Sequence, residues 1–221
     1  PYWLFQKHLM PHWMGRYIGR LYFWPCLPCS IVGNHFEFKG EWWCYVDEED
    51  PPVLLGQVPI WNSQLDTLES LKCKAIVNLC DEYCGPVGYY QRNGYKMLWL
   101  KTIDHLEPTT EAMRTACSFI EHQRSKGLGV YIHCKSGRGR SAAVAMGWMM
   151  YHMGMSPKKA QNTLLSRRKV RAKLWIQKNV IQFHQDLGDA PVPQSMGREE
   201  SGGRRNSVHD FSSLGGGGQF A

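Results

Sequence analysis

The chain has 221 residues, 26 Lys+Arg against 19 Asp+Glu, a formal net charge of +7 and 43% hydrophobic residues. That length suits one domain with appendages, and the apolar content excludes wholesale disorder, collagen and a coiled coil. Eight cysteines are too few and too irregularly spaced for a disulfide-stapled fold, which points to an intracellular, reducing compartment. The positive balance implies an anionic partner: nucleic acid, a phospholipid surface or a phosphorylated substrate.

Residues 1–40 form an aromatic and basic N-terminal arm. It begins with Pro1 rather than Met, so further residues are expected before it. Residues 1–36 contain no acid, and Lys7, Arg16 and Arg20 lie among Trp3, Phe5, Trp13, Tyr17, Tyr22, Phe23 and Trp24. The uncharged run from Leu21 to Phe36 is too short to span a bilayer and carries Pro25 and Pro28. Two readings stand side by side: an interfacial arm whose aromatics sit at lipid headgroup depth, or an extension wrapped on the domain. The acid-poor, Arg-bearing composition also fits part of an organelle-targeting segment.

From about 41 to 188, strand and helix signals alternate. Val53–Leu55 reads as a strand, and Asn62 or Ser63 as the cap of a helix with Leu65, Leu68 and Leu71 inward. Strands are expected at 75–79, 97–100 and 130–132. Between the last two, Thr109 or Thr110 opens a helix presenting Met113, Ala116, Cys117 and Ile120. Helices follow from about Arg140 to Met153, from Ser156-Pro157 through Leu165, and from about Leu174 to Leu187 with Ile176, Val180, Ile181 and His184 or Phe183 inward. The pattern predicts an α/β fold: a central, mostly parallel sheet of four to five strands flanked by helices. Residues 189–221, rich in Pro, Gly and Ser, read as a disordered tail. Its Arg204-Arg205-Asn206-Ser207 has the look of a basophilic kinase site, a pattern common by chance.

The chemistry concentrates in His133-Cys134-Lys135-Ser136-Gly137-Arg138-Gly139-Arg140-Ser141, between a strand and a helix. A helix N-terminus offers backbone N–H groups and positive potential, and Gly137 and Gly139 let the loop curl around one anion. With five residues between Cys134 and Arg140, a sulfur can lie beneath a phosphorus while the guanidinium forks onto phosphate oxygens. Lys135, Ser136, Gly137, Arg138, Gly139 and Arg140 are the expected phosphate-binding set. Cys134 should titrate low and act as nucleophile through a phosphocysteine. Ser141 steadies that sulfur as a leaving group, and His133 organises the loop. Asp104 stands 30 residues upstream, just past the 97–100 strand, and is the expected general acid. Glu107, His105 and Asp81 are rivals. Loop amides and Arg140 supply the charge stabilisation, so no metal or cofactor is expected. Cys26 and Cys29 form a CxxC without a second pair, a poor zinc signal. Cys80 and Cys84 flank a loop near the site, where one of them can pair with Cys134 on oxidation, and ordinary packing is the simpler account.

The signature loop resembles that of cysteine-dependent protein-tyrosine and dual-specificity phosphatases. More narrowly, residues 20–188 are similar to mitochondrial-type PTPMT-like phosphatidylglycerophosphate phosphatases. The segments concerned are Tyr22-Phe23-Trp24-Pro25, Trp42-Trp43, Val46-Asp47, Leu54 to Pro59, Ala75 to Leu79 with Asp81-Glu82-Tyr83, Thr102-Ile103-Asp104 and His133-Cys134-Lys135. The resemblance implies a shallow cleft, a cysteinyl-phosphate mechanism without cofactor, and Cys134, Arg140 and Asp104 as nucleophile, phosphate-binding arginine and general acid. It implies a phospholipid substrate, with a phosphoprotein as the alternative, and a mitochondrial, membrane-associated setting. Cys80 departs from the family's acidic or polar residue, and the 167–173 run lacks its Arg-Pro pair. Gln177 stands where many members have an Asn that supports the loop. The acid-free cluster Arg167, Arg168, Lys169, Arg171, Lys173 and Lys178 suits an anionic membrane or is simply a solvated face. Nucleic acid is the weaker partner, because no RNA-binding motif accompanies the charge.

Overall fold

The computed structural model describes residues 11–37, 42–189 and 208–209. Six strands, β1 (Trp43–Asp47), β2 (Val53–Gln57), β3 (Cys73–Cys80), β4 (Lys96–Thr102), β5 (Gly129–Cys134) and β6 (Val208–His209), form one sheet in the order β1-β2-β5-β3-β4-β6. The central β2, β5, β3 and β4 are parallel, and β1 and β6 add antiparallel edges. The helices are α1 (His12–Glu37), α2 (Asn62–Ser70), α3 (Val87–Arg92), α4 (Thr110–Arg124), α5 (Arg140–Met153), α6 (Pro157–Arg167) and α7 (Lys178–Asp189), with a single 3-10 turn at Leu174–Ile176.

Strands β2 and β5 are buried throughout and β3 at all but one position, as parallel strands covered on both faces must be. Val53, Leu55, Val77, Leu79, Val130 and Ile132 pack toward α4 and α5, whose Met113, Ile120, Met146 and Trp148 are also buried. Leu54, Ile76 and Tyr131 face the other way, onto Leu65, Leu68 and Tyr95. Local rules explain the helix starts. Thr109 Oγ1 accepts from the Ala112 N–H at 3.1 Å, and Ser156 caps α6 with Pro157 at its first position.

Several expectations change. Trp61, not Asn62 or Ser63, is the cap residue of α2, because Gln64 reaches back and accepts from the Ile60 and Trp61 N–H groups. The helix expected from Leu174 splits at Gln177, which is extended. That split turns Ile176 and Ile181 outward, at 46% and 39% exposure, while Val180 and Phe183 are buried. Strand β1 and helix α3 were not expected from the sequence. Of the stretch read as a tail, residues 208–209 pair with β4; Ser207 and the arginines before it lie outside the described residues.

Helix α1 takes up most of the N-terminal arm. Gly15, Gly19, Phe23 and Leu27, four residues apart, make its buried face; Phe23 and Leu27 pack with Val58. Trp13, Tyr17, Leu21, Trp24 and Val32 stand outside at 53–71% exposure. Pro25 and Pro28 lie within the helix on exposed positions. No described helix is long and apolar enough to cross a membrane.

Candidate active site

The topology delivers the signature loop to the C-terminal edge of the parallel strands, where open α/β sheets place their sites. Strand β5 runs between β2 and β3, with Gln57 opposite Cys134 and Asn78 opposite His133. Strand β4 ends at Thr102 beside Cys80, so Asp104 emerges at the same edge. Gly137 holds the loop in its curl at φ +74°, and a Cβ there would come within 2.6 Å of the Gly56 backbone. Gly139 is the cap residue of α5.

Cys134 is 2% exposed. Burial pushes its thiol up, but the Arg140 charge, the Ser141 hydroxyl and the Ser141 and Gly137 N–H groups outweigh that and hold it below the usual thiol value. The Ser141 Oγ donates to Sγ at 3.1 Å. Arg140 is equally enclosed. Its Nη1 and Nη2 fork onto the Glu82 carboxylate at 2.8 and 2.7 Å, Nη1 donates to the Thr102 carbonyl at 2.8 Å, and Nη2 lies 3.0 Å from Asp104 Oδ1.

Asp104 faces two of the loop's cations, Arg140 and Lys135, with Lys135 Nζ 2.7 Å from its Oδ2. Burial would raise its pKa, yet Arg140, Lys135 and His105 together keep the carboxyl well below the usual carboxylate range. Lys135 thus links the Asp104 carboxylate to the loop while lining the cleft. Of the rivals, two are engaged elsewhere, and His105 lines the cleft beside Asp104, 3.8 Å from its Oδ2. Glu107 accepts from the Asn179 N–H at the start of α7, Asp81 faces Arg16 and Arg20 of α1, and His105 binds Arg171.

His133 is fully buried and stacked on Tyr131. Burial first, then the Arg140 charge, push its pKa down to about 3 against the opposing Cys134 backbone, so the ring is neutral at physiological pH. Gln177 corrects an expectation. Its Oε1 is buried without a hydrogen-bond partner, and among the described residues its side chain makes no hydrogen bond to the loop. Arg168 and Arg171 hold the loop instead. Arg168 Nη2 donates to the Ser136 carbonyl at 3.1 Å, and the Arg171 N–H donates to the Arg138 carbonyl at 2.8 Å. The Arg171 guanidinium also reaches the His105 carbonyl at 3.3 Å, tying the Asp104 segment to the loop.

Two of these supports were visible in the sequence only as members of a basic run, and Glu82 only as an acid just past a strand end. A cleft of about 650 Å³ opens over the loop, lined by Cys134, Arg138, Arg140 and Asp104, by Lys169 and Arg171 on one rim, and by Cys26 and Cys29 of α1 on another. No disulfide joins any of the eight cysteines.

A nucleophilic cysteine at a strand–loop–helix junction, with a buried arginine closing the loop and a carboxylate facing it, defines a cysteine-dependent phosphatase site. The family model for the dual specificity phosphatase catalytic domain matches residues 55–186, and the chain belongs to that family. Within it the chain is similar to phosphatidylglycerophosphate phosphatase PTPMT1 of Arabidopsis thaliana, 32% identical over 153 residues that cover 68% of this chain and 44% of the relative. It is also similar to human phosphatidylglycerophosphatase and protein-tyrosine phosphatase 1, 24% identical over 77% of this chain and 88% of that one. The chain spans about half the length of the plant relatives it matches, 44% and 60% of the two. Among solved structures, that of PTPMT1 with PI(5)P superposes with a TM-score of 0.59 at 21% identity, over 67% of this chain and 98% of that one. A mouse putative dual specificity phosphatase complexed with zinc tungstate gives 0.55 at 21% identity, over 67% and 89%. At these identities the structures establish the fold.

Proposed function

We propose that this chain hydrolyses a phosphomonoester through a cysteinyl-phosphate intermediate, and that its substrate is a phospholipid of the phosphatidylglycerophosphate kind. The observation that carries the reading is the Cys134 sulfur, lowered in pKa by Arg140 and held by Ser141 at 3.1 Å. The thiolate attacks phosphorus as the ester P–O bond breaks, and the leaving oxygen takes a proton from Asp104. Water then attacks the phosphocysteine and gives its proton back to Asp104. The S–P bond breaks with Ser141 donating to the departing thiolate, and inorganic phosphate leaves.

For the first step Asp104 must carry a proton. A substrate dianion brings negative charge against Asp104 and competes with it for Arg140 Nη2, so binding lifts the carboxyl's pKa toward the working range. The substrate thereby loads its own acid.

Two features support a lipid substrate at an anionic membrane. Lys169 and Arg171 line the cleft rim, and α1 presents Trp13, Tyr17, Leu21 and Trp24 outward on a helix whose flanking charges are Arg16 and Arg20. Amphipathic aromatics beside cations are the chemistry of a headgroup interface. A mitochondrial setting belongs to the same reading and rests on the likeness to PTPMT-type proteins.

The test compares kcat/KM on phosphatidylglycerophosphate in vesicles with kcat/KM on phosphotyrosine and phosphothreonine peptides. A lipid preference of about tenfold or more is expected. An equal margin for peptides makes the chain a dual-specificity protein phosphatase instead. Absence of turnover on any monoester, an aryl phosphate included, would reduce it to a phosphate-binding module.

A further inference from the structure

Helix α1 lies against the three-residue segment Asp81-Glu82-Tyr83, whose middle member forks onto Arg140. On one side, Arg16 Nε and Arg20 Nη2 stand 3.7 and 3.8 Å from the Asp81 carboxylate. On the other, Phe23 stacks on Tyr83 at 5.3 Å and 19°, and Trp24 meets the same ring edge-on at 5.7 Å. From the strand side, Asn78 closes the segment: its Nδ2 donates to the Tyr83 carbonyl at 2.8 Å, while its Oδ1 accepts the Cys80 N–H at 2.8 Å.

Half-exposed arginines at such distances contribute little to stability when their partner is solvated. Asp81 is not solvated. Its side chain is 3% exposed and its Oδ1 is buried without a hydrogen bond. Among the described residues its ion-pair partners are the two α1 guanidiniums, and a buried carboxylate that loses its counter-charges is strongly destabilised where it stands.

We propose that Arg16, Arg20 and Phe23 are positioning residues for Arg140. By holding Asp81 and Tyr83, α1 fixes the Glu82 carboxylate between them and, through it, the guanidinium that receives the phosphoryl oxygens. This rests on Arg140 being the phosphate-binding arginine. It makes the N-terminal helix part of the catalytic apparatus through three side chains that act on Arg140 by way of Glu82.

The experiment uses the full chain, an aryl phosphate as substrate and inorganic phosphate as competitive inhibitor. In Phe23→Ala, and in Arg16→Ala combined with Arg20→Ala, the phosphate inhibition constant should rise and kcat/KM fall by the same factor, about tenfold. The ratio of rates on good and poor leaving groups should change much less than kcat/KM, since Asp104 keeps its Lys135 partner at 2.7 Å. Arg20→Lys and Phe23→Tyr should restore most of the loss. The arginine pair changes surface side chains only and keeps the test open if Phe23→Ala does not fold. A phosphate inhibition constant within about twofold of the parent in these variants, with a lowered melting temperature or none, overturns the proposal and leaves α1 a cover. Arg140→Lys is the control. If it leaves phosphate inhibition unchanged, the reading of Arg140 has failed and the brace with it; if it weakens inhibition while the α1 variants do not, only the brace has failed.

Discussion

Glu82 and Arg140 meet carboxylate to guanidinium in a two-point fork, 2.7 and 2.8 Å, with each side chain 3% exposed. Such a pair is costly to bury and more costly to break, because the survivor keeps its charge without its partner. Here the geometry leaves Arg140 bound on its Glu82 side and available toward Asp104 and the loop.

Removing the carboxylate should therefore harm both stability and phosphate binding. Glu82→Ala is expected to cost about 3–5 kcal/mol of unfolding free energy, read from urea denaturation, and to weaken inhibition by inorganic phosphate. Glu82→Gln keeps one acceptor and should fall between parent and alanine on both measures.

Asp104→Asn should slow turnover by about 10²–10⁴-fold with poor leaving groups and much less with a nitrophenolate that needs no proton. Steady-state rates across a series of aryl phosphates provide the check; equal losses across the series would remove Asp104 from the acid role.

The buried His133 should shape the acid side of the stability profile. Its folded pKa, pushed down to about 3, lies below the ordinary imidazole value. The unfolded chain therefore binds the proton first as pH falls. Its contribution is complete above about pH 6.5 and drains away between there and about 3, by up to about 1.4 kcal/mol per pH unit. Urea midpoints measured across that window should flatten in His133→Asn relative to the parent.

Gly137→Ala should distort the loop twice over. At φ +74° an alanine costs roughly 1–2 kcal/mol, and its methyl would enter the Gly56 backbone at 2.6 Å. Loss of turnover with a retained, cooperative thermal melt is expected; retained turnover would mean that Gly56 yields.

That Cys134, Ser141 and Arg140 stand together was legible because the loop is local: a strand, two glycines and a helix start are written in consecutive residues, while Asp104 joins them from the end of a neighbouring strand. The parallel core was legible for a related reason, since strands buried on both faces read as continuous apolar runs. What escaped was set by packing across the chain. Glu82 is an ordinary surface-type residue until β3 sets it beside α5. Arg168 and Arg171 looked like members of a solvated cluster, and only the turn after α6 aims them back at the loop. Gln177 sits where the last helix is broken, its Oε1 buried without a hydrogen-bond partner, a break that the periodicity running through it did not show. The arm's helix was hidden by Pro25 and Pro28, which argue locally against a continuous helix, while its buried face repeats every four residues against the domain.

Cys26 and Cys29 share the cleft with Cys134, and this complicates any attempt to count active sites by thiol chemistry. An anionic electrophile drawn by the cationic rim meets three sulfurs, one of them activated. Labelling stoichiometry on this protein therefore measures the cleft rather than the nucleophile, and only the difference between parent and Cys134→Ser isolates the reacting thiol. The same arithmetic applies to oxidants, whose first product in this pocket need not be on the sulfur that matters for turnover.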